Sequence, residues 1–276
     1  MNLRIELAGD LAICRQDGVE VYSAPLPDFM AALARQSDYQ MLPDAIPEGV
    51  RFIRQRGDVV VVVMETHPSV RTVRWLADDS PVPYGKGAVY RTARLAFPFV
   101  IVVVTFRGGG LTGFQQCFYR TEPLEKLTDP LLLPNLFNVA DIDKTRKIKC
   151  WLCLANLQTD LRPLQWSEKL RVIRSHLWGG AWNRSSELHE GNSYWGTMRG
   201  LDSRVKSLDA WEQAARVDPL FPLKVQWKPL GKTAGEIIEE MLAMAHPPPP
   251  PVTVEQLASV LSLTKIQNTR RSQPSK

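Results

Sequence analysis

The residues best suited to chemistry gather between positions 131 and 157, in "LLLPNLFNVADIDKTRKIKCWLCLANL". There Cys150 and Cys153 have two residues between them, downstream of Lys144, Arg146, Lys147 and beside Lys149. The thiolate is the nucleophile, and nearby positive charge lowers a thiol pKa from about 8.5. A unit charge ~4 Å away at a partly screened site is worth on the order of 4 kcal/mol before desolvation. A shift of one unit, about 1.4 kcal/mol, is within that reach. Three readings compete: a reactive thiol, a metal or redox pair, and two buried cysteines filling a core beside Trp151, Leu152 and Leu154. Zinc needs two further ligands, yet there is no second Cys-x-x-Cys, and His176 and His189 lie far apart. A thioredoxin-type pair needs a helix after its first cysteine, and "LANLQTDLRP" has no helical period before Pro163. No metal or cofactor is called for. The four cations read equally as a solvated loop face.

Such residues need a framework. Residues 1–23 alternate apolar and polar around "QDG" at 16–18, which predicts an opening β-hairpin. "PLPDFMAALARQ" fits a short helix from Pro27 or Asp28, and "LPDAIPEG" at 42–49 is a loop that sets a boundary near 45. From 50 to 120, β-branched runs bounded by Gly and Pro predict strands: "RFIRQ", "DVVVVVMET", "VRTVRWL", "VYRTARLAFPFVIVVVTF" and "GFQQCFYRT". The runs at 59–63 and 100–104 lack a polar alternate, so both strands should be covered on both faces, by helices. Gly108, Gly109 and Gly110 have no following Lys-Ser or Lys-Thr and predict a hairpin turn rather than a phosphate loop.

Helical patterns follow the cysteines: "WSEKLRVIRSHLW" from Ser167 as N-cap, residues 203–217, and residues 233–245 with Thr233 and Glu236 at capping-box spacing. The tryptophan-rich stretch 178–195 reads as a packing lid rather than a ligand cage. Five prolines at 247–251 predict a stiff linker, Thr253 and Gln256 a short helix, and the basic end a disordered tail. Strands first and helices after give α+β, in three segments: 1–45, 46–246 and 247–276.

A chain of 276 residues with 44% hydrophobic side chains has enough material for a sizeable core. The net charge of +5 comes from cations spread along the chain, so nucleic acid is not required as a partner. The densest apolar run, "FPFVIVVVTF", falls short of the roughly 20 residues of a membrane-spanning helix. The opening "MNLRIELAGD" puts charges where a signal peptide is apolar. The expectation is a cytoplasmic protein whose Cys14, Cys117, Cys150 and Cys153 are reduced.

Pro134-Asn135, a polar excursion and then "LCLANL" at 152–157 resemble the active-site segment of ubiquitin-conjugating enzymes, where a His-Pro-Asn turn precedes the catalytic cysteine. Together, "RFIRQRGDVVVVVMETHPSVRTVRW", "FPFVIVVVTF", "LPN" and "CLAN" resemble the prokaryotic ubiquitin-conjugating-enzyme-like family that includes the B component of PRTRC plasmid operons, over about residues 45–200. The resemblance implies an α+β fold, with a ubiquitin-conjugating-enzyme-like antiparallel β-meander, packed helices, an N-terminal β-hairpin extension and helical C-terminal additions. It implies that Cys153 accepts a ubiquitin-like modifier from a ThiF-type activating enzyme as a thioester and passes it to an amine. Asn135 would be the oxyanion donor and Cys150 the alternative nucleophile. Lys144, Arg146, Lys147 and Lys149 would dock a partner or tune the thiol, and a JAB-type peptidase is a further implied partner.

Leu133 stands where the eukaryotic family has His, and Ala155 where an acid is expected. The interval from Asn135 to Cys153 is longer than in that family, so "NVADIDKTRKIKC" at 138–150 reads as an insertion. The competing class is a non-catalytic module of a mobile element that binds protein or DNA through its basic loops and the tail at 265–276.

Overall fold

The computed structural model describes residues 3–8, 10–25, 28, 47–142, 148–154, 157, 159–189 and 193–245 of the chain. Two units are separable, one containing Met1–Tyr39 and the other Gln40–His246. In the first, β1 (Leu3–Ala8), β2 (Leu11–Gln16) and β3 (Val19–Pro25) pair antiparallel in chain order. Asp17 and Gly18 make the β2–β3 turn with φ of 49° and 88°, the left-handed pair that an Asp-Gly hairpin turn requires. The expected hairpin is therefore present, and β1 extends it to three strands. The expected helix from Pro27 or Asp28 lies outside the described residues except for Asp28, and the proline linker, the helix after it and the basic tail lie wholly outside them.

The second unit is α+β and mostly antiparallel. Its larger sheet runs β12 (Val139–Ile142), β13 (Ile148–Leu152), β10 (Gln116–Arg120), β8 (Phe99–Arg107), β5 (Val59–Thr66), β4 (Val50–Arg56). The short β9 (Gly110–Leu111) folds back on β8, so the expected hairpin turn is present, with Gly108 and Gly109 at φ of 54° and 77° as its two turn residues and Gly110 already in the strand. Between β5 and β8 the chain leaves this sheet. β6 (Ser69–Leu76) and β7 (Tyr90–Phe97) pair with each other, and β14 (Ala181–Trp182) adds to β6 in parallel. The meander is thus interrupted by an excursion into a second sheet. Pro98 marks the switch: it has no N–H to give to a ladder, so "VYRTARLAFPFVIVVVTF" divides into two strands of different sheets.

Val59 through Glu65 and Phe99 through Phe106 are all buried, as the missing polar alternation requires. The cover comes from two helices. Val60 lies opposite Phe106, and the Phe106 ring meets Trp166 edge-on at the start of α1 (Trp166–Gly179), with centroids 5.1 Å apart. Arg56 shares the opposite face with Val59 and pairs with Glu239 of α5 (Ala234–Ala245) at 2.6 Å. Helix α1 begins after Gln165 rather than Ser167, because Glu168 Oε2 accepts the Gln165 N–H at 3.3 Å. At the start of α5 the expected capping box forms, with Glu236 Oε2 accepting the Thr233 N–H at 2.7 Å.

Short helices α2 (Ser185–His189) and α3 (Tyr194–Met198) and the longer α4 (Leu208–Val217) fill the interval between. The C-terminal part is not wholly helical: β15 (Pro229–Thr233) pairs with β11 (Pro130–Leu132), which pairs with β10. A polar, glycine-containing "PLGKT" carries little strand signal of its own, and the pairing partner decides it. An aromatic cluster centres on Trp75, with Phe137, Trp182, Trp195 and Trp211 at centroid distances of 4.8–6.1 Å. This burial gives the tryptophan-rich stretch its packing role. Among the described residues no helix is long and apolar enough to cross a membrane.

Candidate functional site

The interval expected as an insertion holds strand β12 and runs into β13; β13 carries Cys150 and ends one residue before Cys153. Ala140 lies opposite Trp151 and Ile142 opposite Ile148, so Asp141 alone faces Lys149 and Cys150. The extra residue makes a β-bulge. Cys150 occupies it with φ of 53°, a left-handed conformation that costs a non-glycine residue on the order of 1–3 kcal/mol. Asp141 holds the bulge closed. Its Oδ1 accepts the Cys150 N–H at 3.1 Å and the Tyr194 hydroxyl at 2.5 Å, and its Oδ2 pairs with the exposed Lys149. The Cys150 side chain is buried, and desolvation pushes its thiol well above the ordinary range despite a bond from Tyr194 and the nearby Lys149. Cys117 is likewise enclosed and shifted upward by burial. Neither supplies thiolate at neutral pH.

Just past the end of β13 the environment changes. Leu152 donates its N–H to Gln115 O at 2.9 Å and Cys153 donates its own to Asn138 O at 2.8 Å. The Cys153 side chain is half-buried and lines a cleft of about 550 Å³, whose walls include Asn138, His176, Trp182 and Asn183. Those walls are braced. Asn138 Oδ1 accepts the Asn183 N–H at 2.9 Å and its Nδ2 donates to Ala181 O at 3.2 Å, fixing β12 to β14. Asn183 Nδ2 donates to the Tyr90 hydroxyl at 3.3 Å. His176 sits in the last turn of α1, and partial burial lowers its pKa, so the imidazole is neutral and able to accept a proton at neutral pH.

The structure brings Cys153 together with Asn138 and His176, and leaves Asn135 and Cys150 apart from the cleft. Asn135 is enclosed: Tyr119 donates its hydroxyl to Oδ1 at 3.3 Å, and Nδ2 has no partner among the described residues. Leu133, in the place of the family's histidine, is buried, and its N–H donates to Lys228 O at 2.9 Å. Lys144, Arg146, Lys147, Ala155 and Asn156 lie outside the described residues. Asn138 escaped the sequence reading and His176 entered it only as a zinc ligand set aside, because the cleft that they line with Cys153 forms only in the tertiary structure. Among the described residues no group of three or more His, Cys, Asp or Glu is placed to hold a metal. No protein-family model, curated protein or solved structure matches this chain.

Proposed function

We propose that the protein is a thiol-dependent carrier of the ubiquitin-conjugating-enzyme-like kind, with Cys153 as the acyl-accepting nucleophile. One observation carries the reading: of Cys117, Cys150 and Cys153, only Cys153 opens into a cleft large enough to receive a peptide terminus. An antiparallel sheet followed by helices is compatible with that fold. The Cys153 thiolate attacks the carbonyl of a modifier held as a thioester on a ThiF-type activating enzyme. A new S–C bond forms, and the activating enzyme's thiolate leaves. An amine then attacks the same carbonyl, the oxyanion collapses, and the Cys153 thiolate departs. His176, neutral in the cleft, takes the proton that the amine sheds. Asn135, enclosed and bonded to the Tyr119 hydroxyl, is given a packing role in this reading rather than an oxyanion contact. Lys149 is committed to Asp141, so any docking by the basic segment falls to Lys144, Arg146 and Lys147.

The test mixes the full chain with an activating enzyme of this class, its modifier and ATP, and reads a non-reducing gel and a peptide map. A reductant-sensitive adduct on Cys153, blocked by prior iodoacetamide, is the expected result. Iodoacetamide labelling of Cys153 that occurs only after denaturation would overturn the assignment.

A further inference from the structure

A second cavity, of about 410 Å³, draws part of its lining from the same segment that lines the cysteine cleft. Asn183 and Ser185 line the cleft, whereas Arg184 and Glu187 line this pocket. Phe137 and Trp195 are among its lining residues and are buried, fixed by the aromatic cluster. Arg184, Arg199 and Lys206 also line it, and among the described residues none of the three has an ion pair with a carboxylate. Ser207 adds a fourth positive element. It is the N-cap of the ten-residue α4, and its hydroxyl accepts the Ala210 N–H at 3.2 Å, so the positive end of that helix dipole borders the pocket. The three cations line this cavity with two carboxylates, Asp78 and Glu187, and with none of them ion-paired among the described residues the cations' N–H donors are left for a bound anion.

We propose that this pocket binds a phosphate ester that also carries hydroxyl groups, such as a sugar phosphate or the ribose-phosphate part of a nucleotide. The two acids in the wall decide between this class and a bare polyanion. Asp78 and Glu187 line the same cavity, yet neither is within ion-pairing reach of the three cations. Carboxylates repel further phosphates and accept hydrogen bonds from hydroxyls, as Glu187 Oε1 already does from Ser193 at 2.7 Å. The volume falls inside the ~300–1,000 Å³ typical of small-molecule sites. Arg199 and Lys206 are exposed, so they are free to close on a ligand without disturbing the core. This site is independent of the thioester reading.

Calorimetric titration of the full chain at low salt tests it, with ribose 5-phosphate, inorganic phosphate and ribose as probes. Ribose 5-phosphate should bind saturably and more tightly than either of the others. Arg199→Gln and Lys206→Gln should each weaken it about tenfold, the usual scale for one charge-assisted hydrogen bond, with unchanged melting. Arg216→Gln, elsewhere on α4, should leave it unaltered. No saturable binding, or equal weakening by Arg216→Gln, would mark mere attraction to a chain of net charge +5 and overturn the proposal. Inorganic phosphate binding as tightly as ribose 5-phosphate would overturn the assignment to a hydroxyl-bearing ester.

Discussion

Cys150 and Cys153 stand on one strand and its immediate continuation, three residues apart, yet their surroundings oppose each other. Cys150 sits in a bulge, with its N–H fixed by Asp141 and its thiol in the core. Cys153 opens into a braced cleft that His176, its pKa lowered by partial burial, also lines. The difference teaches that the Cys-x-x-Cys spacing does not give two thiols one environment: a bulge lies between an enclosed position and one that opens to a cleft. A one-residue change of register exchanges the faces of a strand, so the extra residue at Cys150 helps fix which thiol meets solvent.

The largest effect that could break this contrast comes from deleting each thiol. Cys153→Ala should abolish the reductant-sensitive adduct completely. Cys150→Ala should keep it and lower stability by about 1 kcal/mol, since a small buried group is lost from a well-packed site. Comparing the variants on a non-reducing gel and in urea melts checks both halves. Loss of the adduct in Cys150→Ala, with its fold intact, would invert the comparison.

Asn135 comes next. Asn135→Ala strands the buried Tyr119 hydroxyl and should cost about 1–3 kcal/mol of stability. Discharge of the loaded protein to an amine should keep its rate. An oxyanion donor would show the reverse pattern, with stability spared and discharge slowed by about 10²–10³. A pulse-chase assay beside thermal melts distinguishes the two.

These outcomes bear on how much could be read from the chain alone. The buried strands at 59–63 and 100–104, the Gly108–Gly109 turn and the Thr233–Glu236 cap were legible because each depends on local pattern. Pro98 was read through as part of one strand run, "VYRTARLAFPFVIVVVTF", and not as the point where the chain changes sheets. Strand β15 and the company of Cys153 were not legible. The first exists because β11 offers it a partner, and the second because Asn138 bonds to the backbone of residues 181 and 183. The bulge lacked its usual signal, since a cysteine rather than a glycine takes the left-handed position.

A milder perturbation sharpens the Cys150 side. Tyr194→Phe removes the hydroxyl that bonds Asp141 while keeping the ring, and hydrogen bonds to charged groups are worth about 1.5–3 kcal/mol. Lys149 still balances the Asp141 carboxylate, so the loss should fall at the low end of that range. Hydrogen exchange at the Cys150 amide should quicken, and that at Cys153 should not. Equal acceleration at both amides would show that the two positions open as one unit.

The smallest expected effect concerns His176. Burial disfavours its charged form, so its folded pKa lies below the ordinary value near 6.5 while the unfolded chain keeps that value. As pH falls below about 6.5 the unfolded chain therefore takes up the proton first, and stability declines until the folded pKa is reached. Above 6.5 both states are neutral and this contribution is fully present. The side chain is only partly buried, so water screens much of the penalty and the slope is shallow. His176→Gln should flatten the stability curve between pH 7 and 5 relative to the parent chain, a difference that removes the other histidines from the comparison. The same depressed pKa has a kinetic consequence. Discharge from Cys153 should hold its rate to a lower pH than an ordinary imidazole base allows, because the base stays unprotonated. If the rate instead falls with a midpoint at or above 6.5 and His176→Gln leaves that midpoint in place, the proton is going to another group and His176 is only a wall of the cleft.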